Sequence, residues 1–236
     1  MNELIRDTQY LVLTGNYGSG KTELALNLAL QFAPEYRTTL VDLDIVNPYF
    51  RTKDSEAALK AEGIGLIVSE FANSNLDVPA MPKEIYALVD DRSQLGVLDI
   101  GGDDRGALAL GRYTPAIAEE NNYEMLLVVN MYRPLTRTAD DTIEVLREIE
   151  EACRLPFTAI VNNSNLGPLT TAQTVLNSIP YAQEISRKTG LPVKMTCAKE
   201  DLCPSLAGQV ENLFPLSLQK LYYQIDSEVP YGETDV

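Results

Sequence analysis

Seven short apolar runs, separated by stretches with helical periodicity, constrain the fold of this 236-residue chain more than any other feature. The runs cover residues 9–14, 38–42, 66–69, 96–100, 125–130, 158–162 and 192–197. They lack strict polar alternation, which is typical of strands buried on both faces of a parallel sheet. Strands that alternate with helices predict a doubly wound α/β fold, in which a mostly parallel sheet is flanked by helices.

Amphipathic helices are predicted between the runs. One follows the first run, and a second covers about 138–154, with Thr138 and Asp141 as a capping pair. A third covers 171–189, and Pro180 predicts a break within it because proline removes a helical hydrogen bond.

The part of the chain that follows the last run has a helical pattern around Pro215. This pattern predicts one or two helices over 206–224. We therefore expect a single domain over 1–236, with a helical tail from about 204.

The charge of the chain narrows the possible partners. It has 34 Asp and Glu residues against 19 Lys and Arg residues, so its formal net charge is −15. Such a surface repels phosphate backbones and anionic lipids, so we expect neither a nucleic acid nor a membrane as the partner. We find no signal-peptide core and no apolar run long enough to span a bilayer, and we expect a cytoplasmic protein.

Histidine and cysteine usage limits the chemistry. The chain has no histidine, so catalysis depends on carboxylates, lysine, arginine, backbone groups or a bound cation. Its three cysteines, Cys153, Cys197 and Cys203, are scattered and are expected to be reduced thiols.

Residues 15–22, GNYGSGKT, match the pattern G-x-x-x-x-G-K-[ST] and stand between the first apolar run and the first helix. In such a loop, glycines let successive backbone N–H groups point at phosphate oxygens, and the start of the helix adds further donors. Lys21 is predicted to reach the β- and γ-phosphates, and the Thr22 hydroxyl to ligate Mg2+. The candidate nucleotide-binding residues are Gly15, Asn16, Tyr17, Gly18, Ser19, Gly20, Lys21, Thr22 and Glu23.

Acidic residues follow two other runs, where the ends of parallel strands are expected to face a ligand. Asp42 and Asp44 lie at the end of the second run. Asp99 ends the fourth run and, with Gly102, forms a D-x-x-G stretch. An apolar strand that ends in Asp is typical of a Walker B site, in which the carboxylate holds Mg2+. The alternative is that Asp99 is an ordinary turn residue.

On these motifs the chain resembles the MinD/ParA/ArsA/nitrogenase-iron-protein group of P-loop ATPases, the SIMIBI class, which includes CobQ-like proteins. The resemblance covers roughly residues 8–200 and depends on GNYGSGKT, LVDLDIVNP, VLDIGG and AIVNN. It implies that Asp44 positions the attacking water and that Asp42 supports Mg2+, which would make Lys21, Asp42 and Asp44 the catalytic set. It also implies that Asn162 hydrogen-bonds adenine, although an asparagine here could instead cap a turn.

The chain departs from that group at several points. MinD and ParA carry a signature lysine where this chain has Asn16. That lysine serves a nucleotide-sandwiched dimer, so a homodimer stays only a possibility. Arg51 and Arg105 are candidates to supply the cation instead. The cluster cysteines of the iron protein and the basic tail of MinD have no counterpart.

Three functions remain open from the sequence. The first is a Mg-ATP-dependent switch that hydrolyses ATP for an unidentified protein partner. The second is an ATP-dependent kinase or ligase for a small molecule, related to dethiobiotin synthetase or cobyrinic acid amidase, with segments 47–51 and 130–133 as the acceptor pocket. The third is an ATP sensor without hydrolysis. An N-K-x-D stretch, with which GTP-binding relatives read guanine, is missing, so ATP is the expected nucleotide.

Overall fold

The computed structural model describes residues 8–44, 53–68, 88, 91, 93–102, 104–111, 113–119 and 122–218, without the side chains of 53–56, 104, 105, 109 and 116. The strands in these ranges are β1 (Tyr10–Thr14), β2 (Arg37–Leu43), β3 (Gly65–Val68), β4 (Gln94–Ile100), β5 (Tyr123–Val129), β6 (Ala159–Asn162), β7 (Val193–Lys199) and β8 (Leu213–Leu216). The helices are α1 (Lys21–Phe32), α2 (Lys53–Ala61), α3 (Asp104–Gly111), α4 (Thr114–Glu119), α5 (Ala139–Cys153), α6 (Ala172–Thr189) and α7 (Cys203–Leu206). Short 3-10 turns lie at Pro134–Thr136, Gly167–Leu169 and Glu200–Leu202.

These strands form one sheet in the order β3-β2-β4-β1-β5-β6-β7-β8, and every neighbouring pair is parallel. The predicted doubly wound α/β fold with a parallel sheet is confirmed. Each of the seven predicted runs coincides with a strand, because strands covered by helices on both faces need apolar residues at every position.

The centre of the sheet explains where a ligand can bind. β1 lies between β4 and β5, and the chain crosses from β1 to β2 on one side before it returns to β5 on the other. Ligands of open α/β sheets bind in the crevice that such a change of direction leaves at the carboxyl ends of the strands. The glycine-rich stretch follows β1 directly and therefore lies at this crevice.

Both faces of the sheet carry a core. Leu11 and Leu13 of β1 pack with the apolar residues of α1, whereas Tyr10 and Val12 pack with residues of α5 and α6 on the other face. All four side chains are at most 2% exposed. Burial on both faces fixes the register of β1 and hence the position of the loop that follows it.

The helix over 171–189 differs from its prediction. The capping pair Thr138 and Asp141 of the preceding helix is confirmed as a capping box, but the break expected near Pro180 is wrong. Helix α6 runs unbroken through Pro180, with a second capping box at Thr171 and a left-handed C-cap at Gly190. Packing of its buried face and both caps outweigh the local cost of the proline, which is about 3 kcal/mol.

The described part of the tail also differs from its prediction. Residues 213–216 form the edge strand β8 rather than part of a helix. Pro215 suggested a helix boundary, but an edge strand also accepts proline, since one side of its backbone needs no partner. The predicted tail beyond residue 218 lies outside the described residues.

A side-chain clamp joins this edge strand to α1. The Asn27 side-chain amide donates to the Ser217 carbonyl (3.2 Å), and Asn27 Oδ1 accepts from the Ser217 backbone N–H (2.8 Å). The segment after β8 is thereby attached to the helix that begins at the glycine-rich loop.

Candidate functional site

The loop between β1 and α1 has a backbone that glycine alone accommodates. Gly15 has φ +143° and Gly20 has φ +86°, in the range that side chains disfavour. A Cβ at Gly15 would overlap the Val128 carbonyl, and one at Gly20 would overlap the Asn163 amide. Gly20 is also the N-cap of α1 and provides no side chain to cap it, so the first N–H groups of α1 are left for a ligand.

The Lys21 side chain lies inside this loop. It is only 6% exposed, and its ammonium donates to the Asn16 carbonyl (3.2 Å). The loop therefore closes around its own cation. This arrangement places a positive charge beside the N-terminus of α1, where an anion is favoured.

Two aspartates meet at the carboxyl edge of the sheet. Asp42 on β2 and Asp99 on β4 are register partners on adjacent strands, and each is 1% exposed. Asp42 Oδ1 accepts from the Asp44 backbone N–H (3.0 Å). The structure therefore brings together three of the acidic residues predicted from the sequence.

Asp99 is the least satisfied of these carboxylates. Within the described ranges, neither of its oxygens accepts a hydrogen bond of normal geometry. Burial raises the pKa of Asp99 to about 6, against the opposing effects of the Thr22 hydroxyl and the Lys21 ammonium, and Asp44 raises it further. A buried polar group without a partner is rare and usually marks a place where an ion, water or ligand binds.

A bound Mg2+ fits these groups. The Thr22 hydroxyl, Asp42 and Asp99 offer hard oxygen ligands, which Mg2+ prefers. Ser19 Oγ is a further buried oxygen without a hydrogen-bond partner in the described part of the chain. The oxygens of Ser19, on the loop, and of Asp99, on β4, thus lie where a metal ion bound to a phosphate could contact both segments.

Gly102 joins the D-x-x-G segment to the loop. A Cβ on Gly102 would overlap the Gly15 carbonyl and lie 3.0 Å from the backbones of Asn16 and Tyr17. The two segments are therefore in backbone contact, and movement of one affects the other.

Gly102→Ala tests this contact. The added methyl group meets only backbone atoms, so the loop must shift, and overpacking of this kind costs about 1–3 kcal/mol. We expect the affinity for ATP with Mg2+, measured by titration, to fall about tenfold or more. Gly63→Ala is the control for backbone strain away from the loop: its φ of +76° disfavours a side chain, its Cβ would have nothing within 4 Å, and it precedes the amino end of β3. If Gly102→Ala and Gly63→Ala bind ATP with equal affinity, the contact between Gly102 and the loop does not affect nucleotide binding.

Two loops from other strands hold the glycine-rich loop from outside. The Asn163 amide donates to the Ser19 carbonyl (2.8 Å), and Arg133 Nε donates to the Gly18 carbonyl (2.7 Å). Sequence analysis did not single out Asn163, and it considered Arg133 only as part of an acceptor pocket. The AIVNN stretch was the available signal, but it drew attention to the first asparagine rather than the second.

Asn162, the predicted adenine contact, lies at the end of β6 and is fully buried. Its amide donates to Ser178 Oγ (2.9 Å), and its Oδ1 accepts from the Ser164 N–H (3.3 Å). The bond to Ser178 ties the end of β6 to α6, and the bond from Ser164 shapes the turn that follows β6.

A cavity of about 220 Å3 lies on the β6–β7 side of the loop. Gly20 and Glu23 form one wall, and Asn163 and Asn165 form another. The remaining lining comes from Gly167, Thr170, Cys197, Ala198, Lys199, Leu216 and Leu218. The cavity adjoins the start of α1 and has both apolar and amide groups, which suits a flat heterocycle.

Several predicted residues cannot be placed. Arg51 and the rest of segment 47–51 lie outside the described residues, and the side chain of Arg105 is not described. In the other proposed acceptor segment, Asn130 is fully buried, and its Oδ1 accepts from the N–H groups of Tyr132 and Asn165. Asn130 therefore shapes the loop rather than lining an open pocket.

No helix in the described part of the chain has the length and apolar character needed to cross a bilayer.

Comparison with solved structures identifies the fold. FtsY from Mycoplasma mycoides is similar, with a TM-score of 0.50 and 14% identity over 80% of this chain. The present chain has the fold of a P-loop NTPase. The match spans about 59% of that FtsY chain. A nucleotide-binding protein from Archaeoglobus fulgidus, in complex with ADP, has a TM-score of 0.42 and 12% identity over 86% of this chain and 87% of its own. Neither a protein-family model nor a curated protein matches the sequence.

Proposed function

We propose that this chain binds ATP with Mg2+ at residues 15–23 and hydrolyses it as a nucleotide-dependent switch for a protein partner. The observation that carries the proposal is the buried Asp99 carboxylate, whose oxygens accept no hydrogen bond of normal geometry from the described residues. It lies close enough to Thr22 and Lys21 for both to lower its pKa. A carboxylate in this position is stabilised when a cation binds beside it.

Thr22, Asp42 and Asp99 are the proposed Mg2+ ligands. Two buried carboxylates on neighbouring strands and a hydroxyl at the start of α1 give the oxygen donors that Mg2+ needs, while it keeps water and phosphate at its other positions. Bound Mg2+ would neutralise charge on the phosphates during hydrolysis.

Lys21 and the loop backbone are the proposed phosphate ligands. The N–H groups from Gly15 to Glu23 and the N-terminus of α1 favour negative charge, and Lys21 adds a buried cation. Asp44 is proposed to orient the attacking water. Asp42, near the end of β2, and Gly102, which follows β4, lie at the candidate switch segments and are proposed to change position with the presence or loss of the terminal phosphate. Gly102 is suited to this because it contacts the loop backbone.

The cavity of about 220 Å3 is the proposed adenine site. Its position beside Gly20 and Glu23 places a base next to the phosphates. Adenine offers a donor and an acceptor on one edge, which an asparagine amide can match. Asn163 and Asn165 line the cavity, and Asn162 lies directly before them, so this loop is the proposed base-recognition segment.

We place the chain near the MinD/ParA-like ATPases, as one domain, on the motifs that it shares with them. Asn16 stands where those proteins have the signature lysine, so a sandwich dimer is not required by our proposal. The partner that we favour is another protein, because Asn130 of the acceptor segment 130–133 is buried, and the other acceptor segment, 47–51, lies outside the described residues.

Nucleotide titration tests the proposal. We expect ATP with Mg2+ to bind at least tenfold more tightly than GTP, since the sequence has no N-K-x-D stretch with which to read guanine. Tryptophan is absent, so fluorescent ATP and GTP analogues give a clean signal. Phosphate release, measured with each nucleotide, then reports hydrolysis. The proposal is wrong if neither nucleotide binds in the presence of Mg2+.

A further inference from the structure

Arg133 lies on the glycine-rich loop although it comes from a distant part of the sequence. Its Nε donates to the Gly18 carbonyl at 2.7 Å. A Cβ built on Gly18 would lie 3.1 Å from Arg133 Nε and 3.2 Å from Cζ, so the guanidinium rests against the loop where glycine leaves room for it. This bond uses one of its five N–H donors.

The loop that carries Arg133 is held in place before any ligand arrives. The Arg133 N–H donates to the Asn130 carbonyl (3.2 Å), and Thr136 Oγ1 donates to the same carbonyl (2.9 Å). Tyr132 adds a bond from its hydroxyl to the Thr174 carbonyl (2.8 Å). A donor that is already oriented needs little reorganisation to stabilise charge on a ligand.

The charge around the loop is unbalanced. Lys21 is the sole cation in the sequence 15–23, while Asp42, Asp44 and Asp99 gather at the facing strand ends. Asn16, at the position of the signature lysine, is neutral, and its Oδ1 accepts from the Tyr17 N–H (2.8 Å). Because these carboxylates offset the charge of a bound Mg2+, a further positive group near the loop would stabilise a triphosphate.

We infer that Arg133 is that group: it supplies, from the same chain, a cationic contact to the terminal phosphate of the bound nucleotide. This inference rests on the function proposed above. The Nε bond fixes the base of the guanidinium on Gly18, and because Arg133 is exposed, its Nη groups are the proposed phosphate donors. Arg133 would thus take, within one chain, the part for which Arg51 and Arg105 were the candidates from the sequence.

The test compares nucleotides that differ by one phosphate. Wild type, Arg133→Ala and Arg133→Gln are titrated in the presence of Mg2+ with a non-hydrolysable ATP analogue and with ADP, and thermal unfolding confirms that each variant is folded. Arg137→Ala is the control, because Arg137 is an exposed arginine four residues further along the chain.

We expect Arg133→Ala to weaken the ATP analogue about tenfold or more, since a bond to a charged group is lost, and ADP by less than about threefold. Arg133→Gln keeps a donor for Gly18 without the charge and should behave like Arg133→Ala. Arg137→Ala should leave both affinities unchanged. Equal losses for both nucleotides, or rescue by glutamine, would show that Arg133 only shapes the loop and would overturn the inference. Failure of the wild type to bind either nucleotide would instead refute the proposed function.

Discussion

Lys21→Ala is expected to abolish binding of ATP at concentrations at which the wild type is saturated. Lys21 is 6% exposed and its ammonium lies within the loop, so a phosphate that binds there meets it in a partly dehydrated environment. Charge-assisted bonds in such surroundings are about twice as strong as neutral ones. We expect an affinity loss of about 100-fold or more, measured by titration with Mg2+ present.

Lys60→Ala is the matched control for Lys21→Ala. Lys60 is exposed in the last turn of α2, so its removal takes the same charge from the chain without touching the loop. If both variants bind ATP as the wild type does, the loop is not the phosphate site. If both lose affinity, the effect comes from the overall charge.

Asp99→Asn is expected to stabilise the nucleotide-free protein at neutral pH while it removes the response to Mg2+. Burial raises the pKa of Asp99 from 3.8 to about 6. Between about pH 4 and pH 6, Asp99 is protonated in the folded state but ionised in the unfolded state. The free energy of unfolding therefore falls as pH rises through this range. Above pH 6 the full cost applies, and a shift of this size corresponds to about 3 kcal/mol.

Chemical denaturation at pH 4 and pH 7.5 measures this effect as the difference in unfolding free energy between variant and wild type. The difference should be small at pH 4 and reach its maximum at pH 7.5, and addition of Mg2+ and ATP should stabilise the wild type alone. Destabilisation of Asp99→Asn at pH 7.5 would show that the carboxylate has a structural partner.

Asp91→Asn is a control for which we expect the opposite change in the free energy of unfolding. Hydrogen bonds from Ser93 and Gln94, with a contribution from Arg37, lower the pKa of Asp91 to about 2. Its ionised form therefore stabilises the folded state above pH 4, and that contribution is lost as pH falls towards 2. Asp91→Asn should destabilise the protein at pH 7.5, whereas Asp99→Asn should stabilise it.

The sequence predicted those features that depend on local pattern. Seven strands were found because burial on both faces leaves a continuous apolar run, and the loop at 15–22 was found because its glycines and Lys21 are adjacent in the chain. β8 was missed because four residues that include Pro215 show no strand pattern. The break predicted at Pro180 was wrong because the prediction took account of the local free-energy cost of proline in a helix but not of the packing of α6.

Contacts set by topology could not be predicted in this way. Arg133 reaches Gly18 across 115 positions, and Asn163 reaches Ser19 across 144. Both follow from the placement of β5 beside β1 and of β6 beside β5, which no short motif encodes. The unsatisfied state of Asp99 is likewise a property of three-dimensional burial, although the residue itself was predicted from its position after an apolar run.

The central place of β1 has a consequence for how the chain acquires its structure. Tyr10 pairs with Gly96 on one side and with Tyr123 on the other, so β1 gains both neighbours only after residues more than 100 positions further along the chain have been synthesised. Pairings so distant in sequence close large loops and slow folding. The loop that carries the candidate phosphate-binding residues therefore reaches its final position only after β4 and β5 have been made.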